Sequence, residues 1–172
     1  DCGGDSSSVS SDLNSGVTQI FSSLNAFAAL KSDGSVITWG SSDFGGDSSS
    51  VSSDLTSGVT HIYSSRGAFA TLKSDGSVIT WGNTVYGGDS SSVSSNLASG
   101  IHEISSTVSA FAALHSDGSV VTWGDQEFGG DSSSVSSELS TDVVKIFSNE
   151  RAFAALKIDG SVVTWGEPAQ GG

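Results

Sequence analysis

Apolar residues along this chain arrive in short bursts separated by serine, glycine and aspartate, and each burst is too short for a helix. Residues 16–23 (GVTQIFSS) hold Val17, Ile20 and Phe21 among β-forming neighbours. Their alternation is imperfect, which predicts a strand carrying a bulge. Residues 26–31 (AFAALK) predict a second strand. Residues 35–40 (SVITWG) predict a third, with Val36 and Thr38 on one face and Ile37 and Trp39 on the other. Between the last two strands lies Ser32-Asp33-Gly34, a hairpin loop with glycine where a positive φ is needed. In residues 3–13 (GGDSSSVSSDL), Val9 and Leu13 are four apart and Asp5 is a good N-cap, which fits one helical turn or a short 3₁₀ segment.

This pattern repeats every 42 residues. AFAALKSDGSVITWG at 26–40 returns at 68–82, 110–124 and 152–166, and Gly3-Gly4-Asp5 returns at 45–47, 87–89 and 129–131. Four units follow, 3–44, 45–86, 87–128 and 129–170, with a partial unit at each end. Equal units without linkers predict a single repeat domain over residues 1–172. Ala26 and Ala28 leave room for a neighbouring sheet, while Phe27 and Trp39 supply bulk, so each unit is expected to complete its core against the next. Asp33, Gly34 and Trp39 recur as Asp75, Gly76 and Trp81, as Asp117, Gly118 and Trp123, and as Asp159, Gly160 and Trp165. These are expected to be structural.

Composition narrows the function. Hydrophobic residues are 35% and charged residues 15% of 172, and the net charge is −13 with six Lys and Arg in total. That balance argues against nucleic acid, whose phosphates demand clustered cations. No apolar run approaches the roughly 20 residues of a membrane span and no signal peptide precedes Asp1, so a chain that does not insert in a membrane is expected. Cys2 stands alone, which excludes an intramolecular disulfide and leaves the compartment open.

Repetition supplies like groups in four places, whereas catalysis needs unlike groups in one. His61, His102 and His115 fall at three different positions of the unit and form no ligand spacing. No G-x-S-x-G elbow, in-register Ser-His-Asp set or phosphate-binding glycine loop occurs. Asp33 and its equivalents suit turn geometry. Asp5, Asp47, Asp89 and Asp131 suit either a cap or an oxygen ligand for Ca²⁺, and one carboxylate per unit favours the cap. No cofactor and no catalytic residue is expected.

The copies differ most just before the second strand and just after the third. The first stretch is Leu24-Asn25, Arg66-Gly67, Val108-Ser109 and Glu150-Arg151; the second is 41–43, 83–85, 125–127 and 167–169. Loops on a rigid scaffold are where specificity is usually carried, while neutral drift at exposed positions predicts the same pattern.

The string from Leu30 to Gly40 (LKSDGSVITWG), followed by Phe44 and Gly45, resembles the regulator of chromosome condensation repeat, A-L-x-x-D-G-x-V-x-x-W-G with a glycine-rich turn. The short three-strand unit is more similar to compact bacterial members such as the β-lactamase-inhibitory propeller proteins. The resemblance covers all four units. It implies an all-β, propeller-like fold with three-stranded blades, and, by the bacterial relatives, a protein partner bound at the divergent loops. The sequence departs from the family in three ways. Residues 22–26 and their equivalents replace the family's glycine and histidine, GGDSSSVSS is not a family element, and such propellers usually close with about seven blades rather than four. Four units are compatible with a small closed propeller, a pairing of two chains, an open superhelical β-repeat array or part of a longer one. The function expected is a non-catalytic scaffold for a protein partner; the alternative is self-association into a structural fibre or sheath.

Overall fold

The computed structural model describes residues 3–172, so Cys2 lies outside the described residues. Among the described residues, twelve strands form four antiparallel three-stranded sheets, each in sequence order. The first sheet is β1 (Val17–Ser22), β2 (Ala26–Lys31) and β3 (Val36–Gly40). The second is β4 (Val59–Ser64), β5 (Ala68–Lys73) and β6 (Val78–Gly82). The third is β7 (Ile101–Ser106), β8 (Ala110–His115) and β9 (Val120–Gly124). The fourth is β10 (Val143–Ser148), β11 (Ala152–Lys157) and β12 (Val162–Gly166). No α-helix occurs among the described residues.

The broken alternation of the first strand is a bulge: Val17 pairs with Lys31 but Gln19 with Leu30, leaving Thr18 over. Its hydroxyl donates to the Leu30 carbonyl at 3.0 Å, so the irregularity leaves a satisfied polar group. In the hairpin, Asp33 Oδ1 accepts the Ser35 N–H at 3.0 Å and the Ser35 hydroxyl at 2.6 Å, and Gly34 has φ 78°. The Asp-Gly-Ser triplet therefore closes its own turn. The segment before each first strand is a 3₁₀ turn, Ser7–Val9 in the first copy. Ser6, not Asp5, is the residue before it, yet the Asp5 carboxylate takes the Ser7 N–H at 2.9 Å.

The sheets stack in file, β1 beside β4, β4 beside β7 and β7 beside β10. Three apolar cores lie between successive sheets. In the first, Ala26, Ala28, Leu30 and Val36 of one sheet meet Leu55, Val59, Ile62, Phe69 and Trp81 of the next unit. Small residues on one side and large aromatics on the other let the backbones approach without voids. Phe69 and Trp81 are stacked at 5.3 Å between centroids, and the indole donates to the Gly45 carbonyl at 2.9 Å. The first glycine of the second, third and fourth Gly-Gly-Asp is thereby tied to the tryptophan 36 residues later. The array is not closed: Phe27 and Trp39 of the first sheet are only partly buried, whereas their counterparts are sealed.

Candidate functional site

The two divergent stretches of each unit are neighbours. The 24–25 turn links β1 to β2, and the Asn25 carbonyl accepts the Ser41 N–H at 2.9 Å, binding it to the stretch that follows β3. The same bond joins Gly67 to Asn83, Ser109 to Asp125 and Arg151 to Glu167, at 2.9, 3.0 and 3.1 Å. A polar side chain in front of each turn holds it further. Ser65 Oγ donates to the Tyr86 carbonyl at 2.7 Å and accepts the Ala68 N–H at 3.1 Å, with Ser23, Thr107 and Asn149 in the same place.

The turns are also strung together across units. Leu24 N–H donates to the Arg66 carbonyl, Arg66 N–H to Val108 and Val108 N–H to Glu150, each at 2.9 Å. Residues that differ most between copies thus lie in one row on a regular backbone, which fixes their spacing while leaving the side chains free to vary.

A cleft of about 360 Å³ opens on this row. Arg66, Val108, Ser109, Glu150 and Arg151 line it, together with Tyr86 and Phe128. Val85 and Asp125, from the stretches after β6 and β9, complete it. Both arginines of the chain are in this one cleft. Arg151 lies 5.0 Å from the Phe128 ring centroid and pairs with Glu167 at 2.8 Å. Hydrogen bonding and charge from Glu167, with Glu150 and Glu127 behind it, push the Arg151 guanidinium still higher in pKa, so it stays charged.

Leu24 and Asn25 stand outside the cleft, Leu24 exposed and Asn25 half-buried. Gly67 is buried beneath Tyr86, where a Cβ would collide with the ring. Its difference from Asn25, Ser109 and Arg151 therefore has a packing cause. Tyr86 and Phe128 belong to the cleft although the repeat pattern gave them no role there; with Phe44 of the first unit, which lies outside the cleft, they form an aromatic row at 42-residue spacing. Phe44 and Tyr86 stack at 6.4 Å between centroids. A larger groove, about 680 Å³, runs between the 3₁₀ segments and β9, walled mostly by residues common to every unit, such as Asp89, Asp131 and Trp123.

Asp33, Asp75, Asp117 and Asp159 lie in exposed hairpin turns, held below the usual carboxylate range by the hydroxyl and N–H of Ser35, Ser77, Ser119 and Ser161. Asp5, Asp47, Asp89 and Asp131 are lowered by the N–H of the residue two ahead. His61 and His102 are exposed on β4 and β7, and His115 ends β8. Among the described residues no three His, Cys, Asp or Glu side chains converge. Gly34, Gly76 and Gly118 abut the next unit, and Trp81, Trp123 and Trp165 fill the junctions.

No protein-family model matches this chain, and no curated protein matches it either. Among solved structures it is similar to yeast RCC1 (Prp20) bound to Kap60, with TM-score 0.59 and 18% identity over 87% of this chain and 43% of that one. It is similar to the CRINKLY WD40 ectodomain of the Arabidopsis thaliana receptor kinase ACR4, with TM-score 0.58 and 18% identity over 88% and 53%. It is also similar to the ectodomain of the Physcomitrella patens receptor kinase CR4, with TM-score 0.57 and 15% identity over 90% and 40%. The chain spans between two fifths and about half of the length of these proteins. It shares with them the fold of a β-propeller-like repeat, here as four sheets in file that do not close.

Proposed function

We propose that this chain is a non-catalytic scaffold, a single repeat domain that holds a protein partner on the turn row and its cleft. The observation that carries the reading is the hydrogen-bonded row itself: the sequence varies along a regularly held backbone. Rigid presentation lowers the ordering cost of binding. The cleft combines arginine and tyrosine, two of the residue types that dominate binding energy at protein interfaces, with phenylalanine, in which interfaces are enriched. The yeast RCC1 structure, a complex with Kap60, shows a protein of this fold engaged by another protein. The repeat string also resembles that of the compact bacterial members of the regulator of chromosome condensation repeat family, a resemblance that implies a protein partner.

The test uses a displayed peptide library selected on the wild-type chain and counter-selected on an Arg66→Ala, Glu150→Gln, Arg151→Ala variant. Peptides that bind the wild type and lose at least about tenfold in affinity on the variant, with unchanged unfolding curves, support the reading. Binders indifferent to all three substitutions remove this surface.

A further inference from the structure

The interior of the array defines one junction and uses it three times. Its apolar part is the packing of alanines and aliphatic side chains against the next unit's aromatics; its polar part is three backbone hydrogen bonds. At the first junction Val36 N–H donates to Leu55, Val59 N–H to Gly34 and Leu24 N–H to Arg66, at 3.0, 3.0 and 2.9 Å. The second repeats them as Val78 to Leu97, Ile101 to Gly76 and Arg66 to Val108. The third has Val120 to Leu139, Val143 to Gly118 and Val108 to Glu150.

Each end of the array carries one half of this junction with nothing against it among the described residues. On the first sheet Ile20 is 60% exposed, whereas Ile62, Ile104 and Ile146 are 3% exposed. Leu13, Phe27 and Trp39 are uncovered in part beside it. On the fourth sheet Val162 is 60% exposed where Val36 and Val78 are 7%, and Phe147 is 52% exposed. The backbone groups match as well. Val17 N–H and the carbonyls of Leu13 and Leu24 occupy one end, in the places that Val59 N–H, Leu55 and Arg66 fill at the first junction. Gly160 carbonyl and the N–H groups of Val162 and Glu150 occupy the other, so donors face acceptors three for three.

Repeat proteins that end in water place polar residues on the outer faces of their terminal units. These ends do not: Leu13, Ile20, Phe27 and Trp39 are the same residue types as the sealed Leu55, Ile62, Phe69 and Trp81. At the other end Ala152, Ala154, Leu156 and Val162 match Ala26, Ala28, Leu30 and Val36. The one change at that end's aromatic row is Gln170, which stands where Phe44, Tyr86 and Phe128 occur.

We propose that a second copy of this chain docks head to tail, the fourth sheet of one copy on the first sheet of the next, and reproduces the interior junction with its three backbone bonds. The contact is heterologous, because the two faces are different halves. Burial of Ile20, Phe27, Trp39, Phe147 and Val162 drives it against the repulsion of two chains of net charge −13.

Light scattering after size exclusion, over a concentration series, tests this with Ile20→Asp and Val162→Asp. Both side chains are exposed in the single chain, so the interior junctions are untouched, which circular dichroism verifies. The wild type is expected to gain mass with concentration, and each variant to associate at least about tenfold more weakly. Mixed in equal amounts, the two variants are expected to form a one-to-one complex, since I20D keeps a sound fourth sheet and V162D a sound first sheet. A wild type that stays monomeric throughout overturns the proposal. So does a mixture that stays monomeric, or V162D that dimerises alone through two first sheets.

Discussion

The third sheet and the first are written in nearly the same residues, and they live in different surroundings. Phe111 is 0% and Trp123 3% exposed, held between the second sheet and their own unit's 3₁₀ segment, while Phe27 and Trp39 form the same stack at 5.3 Å on an uncovered face. The pair forms either way because it is a cross-strand contact inside one hairpin, Phe27 opposite Trp39 and Phe111 opposite Trp123. What changes is the water removed from its outer side. Interactions made within a unit should therefore be indifferent to position in the array, and interactions made between units should not.

The largest test of that contrast is Phe111→Ala against Phe27→Ala. The interior substitution leaves a cavity between two sheets and is expected to cost about 3–5 kcal/mol in urea unfolding. The end substitution is expected to cost under about 1.5 kcal/mol, since much of the ring already meets solvent; equal losses would erase the distinction between interior and end.

A backbone version follows at the hairpin glycine. At Gly76 (φ 78°) a Cβ would sit 2.7 Å from the Gly100 nitrogen of the next unit, whereas at Gly160 (φ 85°) it would meet nothing within 4 Å. Gly160→Ala is expected to cost the left-handed strain alone, about 1–2 kcal/mol, and Gly76→Ala at least about 1 kcal/mol more.

The carboxylate turns provide the opposite case. Asp75 and Asp159 make the same bonds to Ser77 and Ser161 within the turn, so Asp75→Ala and Asp159→Ala are expected to lower the melting temperature equally. Their folded pKa values lie below the ordinary ones, so this stabilisation is complete above about pH 4 and is lost as pH falls through the folded values. Melting temperature measured against pH should drop on that acidic side, and the drop should shrink in both variants.

The smallest expected effect lies at Asp142, the one non-glycine residue with positive φ among the described residues, at 66°. Gly16, Gly58 and Gly100 hold its place in the other units. Asp142→Gly is expected to gain about 0.5 kcal/mol by relieving that conformation. No gain in thermal unfolding would mean that aspartate is accommodated there without strain.

Much of the fold was legible because its grammar is short-range. The broken alternation around Thr18 announced the bulge, and Ser32-Asp33-Gly34 announced the hairpin. The Gly45 carbonyl that takes the Trp81 indole was not legible, since nothing within either stretch points across 36 residues. Of the candidate site, the variable residues were visible but their meeting was not. The bond from Ser109 to Asp125 and the ladder from Leu24 to Glu150 depend on how sheets are stacked. Gly67 reads as simple divergence until Tyr86 is seen lying over it.

The sequence by itself determined the unit: three strands, a bulge and a self-closing turn, because strand alternation and turn geometry are decided by residues a few positions apart. Only the tertiary structure decided which copy of each face is sealed. Ile20 and Ile62 are the same residue in the same local setting, and burial belongs to whatever stands opposite.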